Sequence, residues 1–441
     1  MRLENVTRIP VGTARIDITP DYPIRLSGYA MREGECEGIE QRLWAQAMAI
    51  GDEGEAASLL LTVDNTGVPE QVTGAVFERV AAQAAVAREN FSICSTHTHH
   101  SPMLSGVLPN LFSRDLSSNE EAAIERYTGE LVVRLEEVAL AALSGRRPAC
   151  LSWGRGTVDF AKNRRTEGGP VDHSLPLLCV RSPEGKLRAV FTRYACHCTT
   201  VAPRFNKLHG DWAGEARAAF EAAHPGAMAM IAIGCAGDAN PDPRRGLEFA
   251  RRHGESVAAE ASRLLGTDLK PLNAKPGGRV SRVDLPFERL PDRREWENRA
   301  TQPGIVGYHA RKNLDRLDRG ETLPATLPCG AQAWIFGDEL AMLFLSGEVV
   351  VDYTRRLEND FDRDRLWINA YANDVPCYIP SRRILDEGGY EAEESQWFYD
   401  RPARFAPETE DVIVAAVHGL IPEFRLGPGC DRAAASSAGQ T

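Results

Sequence analysis

The sequence predicts an α/β fold in which mixed β-sheets are flanked by helices. Short apolar runs, typical of buried strands, alternate along the chain with longer segments whose apolar residues recur at helical spacing. Hydrophobic residues make up 43% of the 441 residues and charged residues 26%, which allows a large buried core. We expect one domain over residues 1–430 and a disordered tail at 431–441, which has too little apolar content to pack.

The predicted elements alternate in chain order. The apolar runs that predict strands cover residues 57–64, 91–96, 150–160, 175–182, 187–198, 227–238, 340–348 and 366–374. Helical spacing covers residues 69–90, 119–143, 214–224 and 246–266. Residues 267–300 are polar and rich in proline and glycine, which predicts an excursion or a hinge.

The composition limits the classes of partner. A net charge of −11 argues against nucleic acid and against an anionic membrane, because both select basic surfaces. No apolar run is long enough to span a membrane, and the N-terminus has no apolar leader, so we expect a cytoplasmic protein unless a leader was removed. The ten cysteines are scattered without a CxxC pair, which favours buried thiols over disulfides. The oligomeric state is not indicated.

Polar residues fall at the ends of several apolar runs. His97, His197, Asp238, Glu348 and Asp374 all lie at or just beyond such an end. In sheet-based α/β proteins, sites are built at strand ends. We therefore expect the functional site to gather some of these side chains.

The segment THTHHSP places three histidines within four positions. If it is extended, His97 and His99 point to one face and His100 to the other. Two imidazoles on one face suit a transition metal, above all zinc. The alternative is a hydrogen-bonded polar loop.

Two later residues can complete such a site. His197 in YACHC follows an apolar run, although a lone buried histidine is more often a hydrogen-bonded core residue. Glu348 in FLSGE is costly to bury unless a metal or an arginine faces it. Arg355 and Arg356 are the candidates for an ordinary salt bridge.

Other polar segments leave two alternatives open. The turn GCAGDANPD, with Asp238 and Asn240, is either a plain turn or a close approach of the backbone to a substrate. His100 and His209 either hold a second metal or are hydrogen-bonded loop residues.

As a set, these motifs resemble the catalytic domain of the neutral (non-lysosomal) ceramidases. The similar segments, in the order of the family across roughly residues 10–400, are VGTARIDITP, THTHHSP, KNRRTEGGPVDHSLPLL, YACHCTT, GDANP, SGEVVVDYTRRL and YANDVPCYIPS with GGYEAEES. The resemblance implies the family's mixed α/β catalytic fold. It also implies a zinc ion (Zn²⁺) held by His97, His197, Glu348 and Tyr378.

The resemblance implies catalytic roles as well. His99 would move protons between water and leaving group, and Arg164 or Tyr390 would stabilise the developing oxyanion. Asp238 would orient His99 or another residue at the metal. Asn240 stands where the family has a serine near the reacting water.

The expected function is zinc-dependent hydrolysis of an N-acyl (amide) bond in a small or lipid-like molecule. Because Asn240 replaces the serine, we expect a substrate smaller or more polar than ceramide. The family also has a C-terminal immunoglobulin-like domain, and we expect no counterpart of it here. An esterase or lactonase and an inactive binding homologue are the alternatives, and the four retained metal ligands argue against the last.

Overall fold

The computed structural model describes residues 6–52 and 57–426, so the predicted tail at 431–441 lies outside the described residues. The strands are β1 (Arg8–Asp17), β2 (Trp44–Ile50), β3 (Ser58–Val63), β4 (Phe91–Ser95), β5 (Arg147–Thr157), β6 (Ala161–Asn163), β7 (Ser174–Arg181), β8 (Leu187–Tyr194), β9 (Met228–Ile233), β10 (Ala239–Pro241), β11 (Lys270–Leu272), β12 (Gly277–Pro286), β13 (Thr326–Phe336), β14 (Leu340–Leu345), β15 (Glu348–Val349), β16 (Leu366–Asn369) and β17 (Tyr378–Ile379).

The α-helices are α1 (Glu70–Ala81), α2 (Ser118–Ser144), α3 (Asp211–Ala223), α4 (Leu247–Leu265), α5 (Arg293–Ala300), α6 (Gly304–Asp318), α7 (Val351–Asp360), α8 (Arg382–Glu387), α9 (Ser395–Phe398) and α10 (Thr409–Leu420). A single π-helical turn, Tyr390–Glu394, precedes α9. Among the helices of the described chain, none combines the length and apolar character needed to cross a membrane.

Two mixed sheets form the framework. The larger sheet has the order β4-β3-β2-β1-β5-β7-β8-β9, with β11 added beside β5. Its pairs β3–β4 and β8–β9 are parallel and the others are antiparallel. The smaller sheet has the order β12-β13-β14-β16, in which only β14–β16 is parallel. The predicted mixed α/β architecture is confirmed.

The two sheets pack on each other through apolar side chains. Phe191 of β8 stacks on Trp367 of β16 with ring centroids 5.1 Å apart, and both are fully buried. Apolar residues of α2, among them Leu131 and Leu135, pack in a second cluster with Ala45 of β2. Because β8 and β16 are buried between layers, they form the continuous apolar runs that the sequence shows.

The expectation of an excursion or hinge at residues 267–300 is wrong. This segment contains β11, β12 and α5, and β12 pairs with β13 over ten residues. The strand lies at the edge of its sheet, and most of its side chains are at least partly exposed. An exposed edge strand carries polar side chains, so it lacks the apolar run by which the buried strands were recognised.

Several predicted boundaries also shift. Helix α2 starts at Ser118 because Ser117 caps it: the Ser117 hydroxyl accepts from the Glu120 amide, and the Glu120 carboxylate accepts from the Ser117 amide. Strands β8 and β9 end at Tyr194 and Ile233, before His197 and Asp238. Both polar residues therefore lie in loops beyond the sheet, where the chain is free to turn towards a shared site.

Candidate metal centre and cleft

The loops after β4 and β8 are joined directly. Thr98 and Cys198 form an isolated parallel bridge between them, and the His99 amide donates to the Cys198 carbonyl at 3.4 Å. This bridge places the THTHH and YACHC segments side by side although about 100 residues separate them. The two histidine motifs thus belong to one site.

A small parallel ladder brings the carboxylate and the phenol together. Strands β15 and β17 pair so that Glu348 lies opposite Tyr378. The 29 residues between them include α7 and β16, whose return path makes the parallel pairing possible. Glu348 and Tyr378 are therefore joined by a helix–strand connection.

The loop geometry at His97 differs from the extended segment expected. His97 has a left-handed backbone with φ of 58°, so the rule that alternate residues share a face does not apply. His97 and His99 still meet, with their Nε2 atoms 3.2 Å apart. Gly28 permits this approach, because a Cβ atom there would lie 2.5 Å from Cγ of His99.

The imidazoles of His97 and His197 are oriented by backbone carbonyls. Nδ1 of His97 donates to the Thr66 carbonyl at 2.5 Å, and Nδ1 of His197 donates to the Ala236 carbonyl at 2.7 Å. A carbonyl oxygen only accepts, so each Nδ1 carries the proton and each Nε2 presents a lone pair to the site. Burial, with the charge of Arg164, lowers the pKa of His197 to about 4 and keeps its ring neutral near pH 7.

Glu348 faces both lone pairs. Its Oε2 atom lies 3.1 Å from Nε2 of His97 and 3.1 Å from Nε2 of His197. Three buried acceptor atoms thus converge, and their lone pairs repel one another unless a proton or a cation lies between them.

The donor set fits a metal ion. One nitrogen from each of His97, His99 and His197 lies within 4.8 Å of the others, and all three residues are buried. In the part of the chain that the structure describes, this is the one such group of three histidine, cysteine or carboxylate ligands. The Tyr378 hydroxyl, 3.0 Å from Nε2 of His197, adds an oxygen donor of the kind that zinc accepts.

Two tyrosines that the sequence did not single out hold the Glu348 carboxylate. The Tyr399 hydroxyl donates to Oε1 at 2.5 Å, and the Tyr371 hydroxyl donates to Oε2 at 3.5 Å. Both rings are buried. Tyr371 opens the segment YANDVPCYIPS but was given no role there, and Tyr399 lies outside the quoted motifs, because each acts through a contact made only in the folded chain.

Arg164 lies where the centre opens outwards. Its guanidinium is 5.3 Å from the ring centroids of both Tyr378 and Tyr390. Nε donates to Glu391 at 2.7 Å, whereas the buried Nη2 has no hydrogen-bond partner. Glu391, another residue missed in the sequence, fixes Arg164 by this bond and also pairs with Arg165.

Two connected cavities meet at this point. An inner cavity of about 70 Å³ lies against His97, Glu348 and Tyr399, with an apolar wall that includes Leu108 and Leu111. An outer cleft of about 630 Å³ has a wall of charged, polar and aromatic residues. Gly28, His99, Tyr378 and Tyr390 line both cavities.

Asp238 does not contact His99. Its Oδ1 accepts from the Val351 amide at 2.9 Å and its Oδ2 accepts from Asn163 at 3.0 Å. Asp238 therefore holds the start of α7, directly after the strand of Glu348, and its backbone carbonyl accepts from the Arg164 amide at 2.9 Å.

Asn240 lines the outer cleft, and its Oδ1 accepts from the Thr199 hydroxyl at 3.3 Å.

The alternative salt bridge for Glu348 is absent from the described contacts, since Arg356 pairs with Glu410 and Asp411 instead. His100 donates from Nε2 to the Ala202 carbonyl at 3.3 Å. His209 accepts at Nδ1 from the Asp211 amide. These contacts favour hydrogen-bonded loop histidines over a second metal.

The fold and the site together define an α/β protein with a buried histidine group that can hold a metal ion. The chain belongs to the neutral/alkaline non-lysosomal ceramidase family, whose N-terminal region matches residues 10–261. The resemblance seen in the motifs is thereby confirmed. Glu348 and Tyr378 lie beyond the matched residues.

Solved structures show the same fold. A ceramidase complexed with C2 superposes with a TM-score of 0.73 at 17% identity, covering 96% of this chain and 76% of that chain. The neutral ceramidase from Pseudomonas aeruginosa gives a TM-score of 0.72 at 19% identity with the same coverage. No curated protein sequence matches this chain.

Proposed function

We propose that this protein is a zinc-dependent hydrolase that cleaves an N-acyl amide bond. The observation that carries the proposal is the convergence of Glu348 Oε2 on the Nε2 lone pairs of His97 and His197, each at 3.1 Å. Family membership supports a hydrolase acting on an amide.

The zinc ligands in this proposal are His97, His197, Glu348 and Tyr378. Nitrogen and oxygen donors suit zinc, and the carbonyl contact at each Nδ1 is the usual support of a ligating histidine. Zinc bound there supplies a Lewis acid and lowers the pKa of water towards about 7. His99 is assigned to the reaction, because it borders both cavities and its Nδ1 has no hydrogen-bond partner.

The reaction needs two proton transfers and one charge to be stabilised. The oxygen of water adds to the acyl carbon, the carbon–nitrogen bond breaks, and a carboxylate and a protonated amine are formed. An amine leaves readily only after its nitrogen gains a proton. His99 takes the proton from water and delivers it to that nitrogen, because burial lowers its pKa and keeps the imidazole neutral beforehand.

Arg164 and Tyr390 stabilise the oxyanion that forms on the acyl carbon. Nη2 of Arg164 is a charged donor without a protein partner. The Tyr390 phenol, whose ordinary pKa of about 10 lies well above neutral pH, keeps a proton to donate. Asp238 is a positioning residue, because it acts on Glu348 and Arg164 through α7 and the backbone. Asn240 supplies an amide to the cleft in place of a hydroxyl.

The proposed substrate is smaller or more polar than ceramide. The inner cavity of about 70 Å³ is far below the roughly 300 Å³ at which pockets for drug-sized ligands begin. An ester is the second candidate, because attack by hydroxide does not itself select amides. The proton relay at His99 favours the amide, since an alkoxide leaves with less help than an amine.

The test is zinc per chain, measured by elemental analysis of the wild type and of His197→Ala, both purified without added metal. We expect about one zinc per chain in the wild type and little in the variant. His224→Ala is the matched control, because His224 bonds to Ser262 outside the site and should keep its zinc.

Substrate panels follow on the zinc-loaded protein, with N-acyl amides and the corresponding esters compared at one acyl length. Faster cleavage of the amides supports the proposal, and cleavage of esters alone overturns the bond type. Absence of any transition metal, even after reconstitution, overturns the mechanism.

A further inference from the structure

We propose that the substrate is a short N-acyl compound whose amine half carries a carboxylate, such as an N-acetyl amino acid, and that Asn240 and Arg244 bind this carboxylate. The inference rests on the proposed amide hydrolysis and adds which half of the substrate lies in which cavity.

The inner cavity sets the acyl length. Its apolar wall is formed by Ala30, Leu108, Leu111 and Phe398, directly beside the metal-facing groups. Its volume of about 70 Å³ compares with the roughly 10–15 Å³ that a cavity needs to hold one water molecule, so it has room for a short acyl group and not for a long chain. A long acyl chain would require these side chains to move.

The outer cleft is unsuited to a lipid chain. The residues that line it are charged, hydroxyl-bearing, amide-bearing, aromatic or glycine, and none of them is aliphatic. An alkyl chain there would cover charged groups without replacing their hydration, which is unfavourable. A polar amine half is therefore the better fit.

The charge of the cleft leaves one cation without a counterion. Arg164 pairs with Glu391 at 2.7 Å, and Arg165 pairs with Glu387 at 3.1 Å. Arg244 lines the same cleft and has no hydrogen-bond or ion-pair partner within the described ranges. The cleft thus presents a free guanidinium, which binds a carboxylate through charge-assisted hydrogen bonds.

Asn240 adds a second donor to the same cleft. Its Oδ1 accepts from Thr199, so the amide nitrogen is left to donate to a ligand in the cleft. Strand β10 holds this residue through its pairing with Lys162 of β6. The cleft wall thus offers an amide and a guanidinium, both of which donate hydrogen bonds to carboxylate oxygens.

The test compares hydrolysis of N-acetyl, N-hexanoyl and N-dodecanoyl derivatives of one amino acid, and of the N-acetyl amino acid with its carboxylate converted to a neutral amide. We expect the N-acetyl carboxylate to have a kcat/KM at least about tenfold above each other substrate, a difference that corresponds to about 1.4 kcal/mol.

Variants separate the two parts of the inference. Arg244→Gln should raise KM for the carboxylate at least about tenfold and leave the neutral amide unchanged. Arg251→Gln on α4 removes the same charge outside the cleft. It should change neither the KM for the carboxylate nor the hydrolysis of the neutral amide. Leu111→Ala should move the acyl preference from acetyl towards hexanoyl, a gain that misfolding cannot produce.

A binding measurement is independent of turnover. The uncleaved N-methanesulfonyl amino acid, titrated calorimetrically into the zinc-loaded protein, should bind more tightly than its neutral amide, and Arg244→Gln should abolish the difference. Hydrolysis of dodecanoyl or neutral substrates at equal or higher kcat/KM overturns the inference while the proposed function stands. A carboxylate preference in binding with no hydrolysis of any amide overturns the proposed function instead.

Discussion

The floor and the mouth of the site are built differently. The floor consists of His97, His197, Glu348 and Tyr378, and the mouth consists of His99, Arg164 and Tyr390. Floor side chains are at most 4% exposed, and the floor imidazoles and carboxylate each have a second hydrogen bond that fixes them. In the mouth, Tyr390 is 40% exposed, and His99 and Arg164 each keep a nitrogen without a partner. The floor is rigid enough to hold an ion, whereas the mouth has donors free to exchange partners during a reaction.

The largest expected effect comes from removing charge from the floor. Glu348→Gln would replace the carboxylate that faces two lone pairs with a neutral amide. We expect metal affinity to fall by more than about 100-fold, beyond the 10–100-fold typical of residues that only support a ligand. The measurement is competition with a chelator, followed by elemental analysis.

The matched control for Glu348→Gln is Glu387→Gln in the outer cleft, which removes the same charge without touching the floor. Equal loss of metal in both variants would mean that the net charge of the cleft, and not the Glu348 contact, holds the ion.

A change in the mouth should separate rate from metal binding. Tyr390→Phe removes one oxyanion donor, which typically costs about 10²–10³ in kcat. Metal content should stay as in the wild type, because Tyr390 makes no contact to His97, His197 or Glu348 among the described hydrogen bonds. An unchanged kcat would remove Tyr390 from the reaction.

The contrast between floor and mouth also explains what the sequence could predict. The histidines of THTHH and His197 stood out because polar residues after apolar runs are visible locally. Glu348 was visible as a costly carboxylate, and Tyr378 only through the family resemblance. Tyr399 could not be found, because its role depends on a hydroxyl reaching a carboxylate 51 residues away in the folded chain.

In the fold, too, some elements could be predicted from the sequence and others could not. Buried strands such as β3, β4 and β8 were predicted from their apolar runs, because both of their faces are covered. The edge strand β12 was missed, because most of its side chains are at least partly exposed to solvent and it has no apolar run. The left-handed turn at His97 was not predicted either; it directly precedes the bridge between Thr98 and Cys198, a contact made only in the folded chain.

A smaller loss of metal affinity is expected when a residue that supports a floor ligand is changed. Tyr399→Phe removes the hydroxyl that donates to Glu348 Oε1, and we expect metal affinity to fall by about 10–100-fold. With zinc in excess, kcat should return close to the wild-type value, because the floor ligands themselves are intact. Tyr353→Phe is the control: its buried hydroxyl bonds to the Pro380 carbonyl, so its loss affects stability and not zinc.

The smallest effect is expected at the other histidines of the same loops. His100 directs Nε2 to the Ala202 carbonyl, and His209 lies 3.3 Å from Glu215 at Nε2 while its Nδ1 accepts from Asp211. Neither forms a set of converging lone pairs like that of His97 and His197. His100→Asn and His209→Gln should therefore keep one zinc per chain and the wild-type metal affinity. The opposite result would be a second zinc in the wild type that either variant loses. It would show that a buried histidine near the floor can bind metal without converging lone pairs.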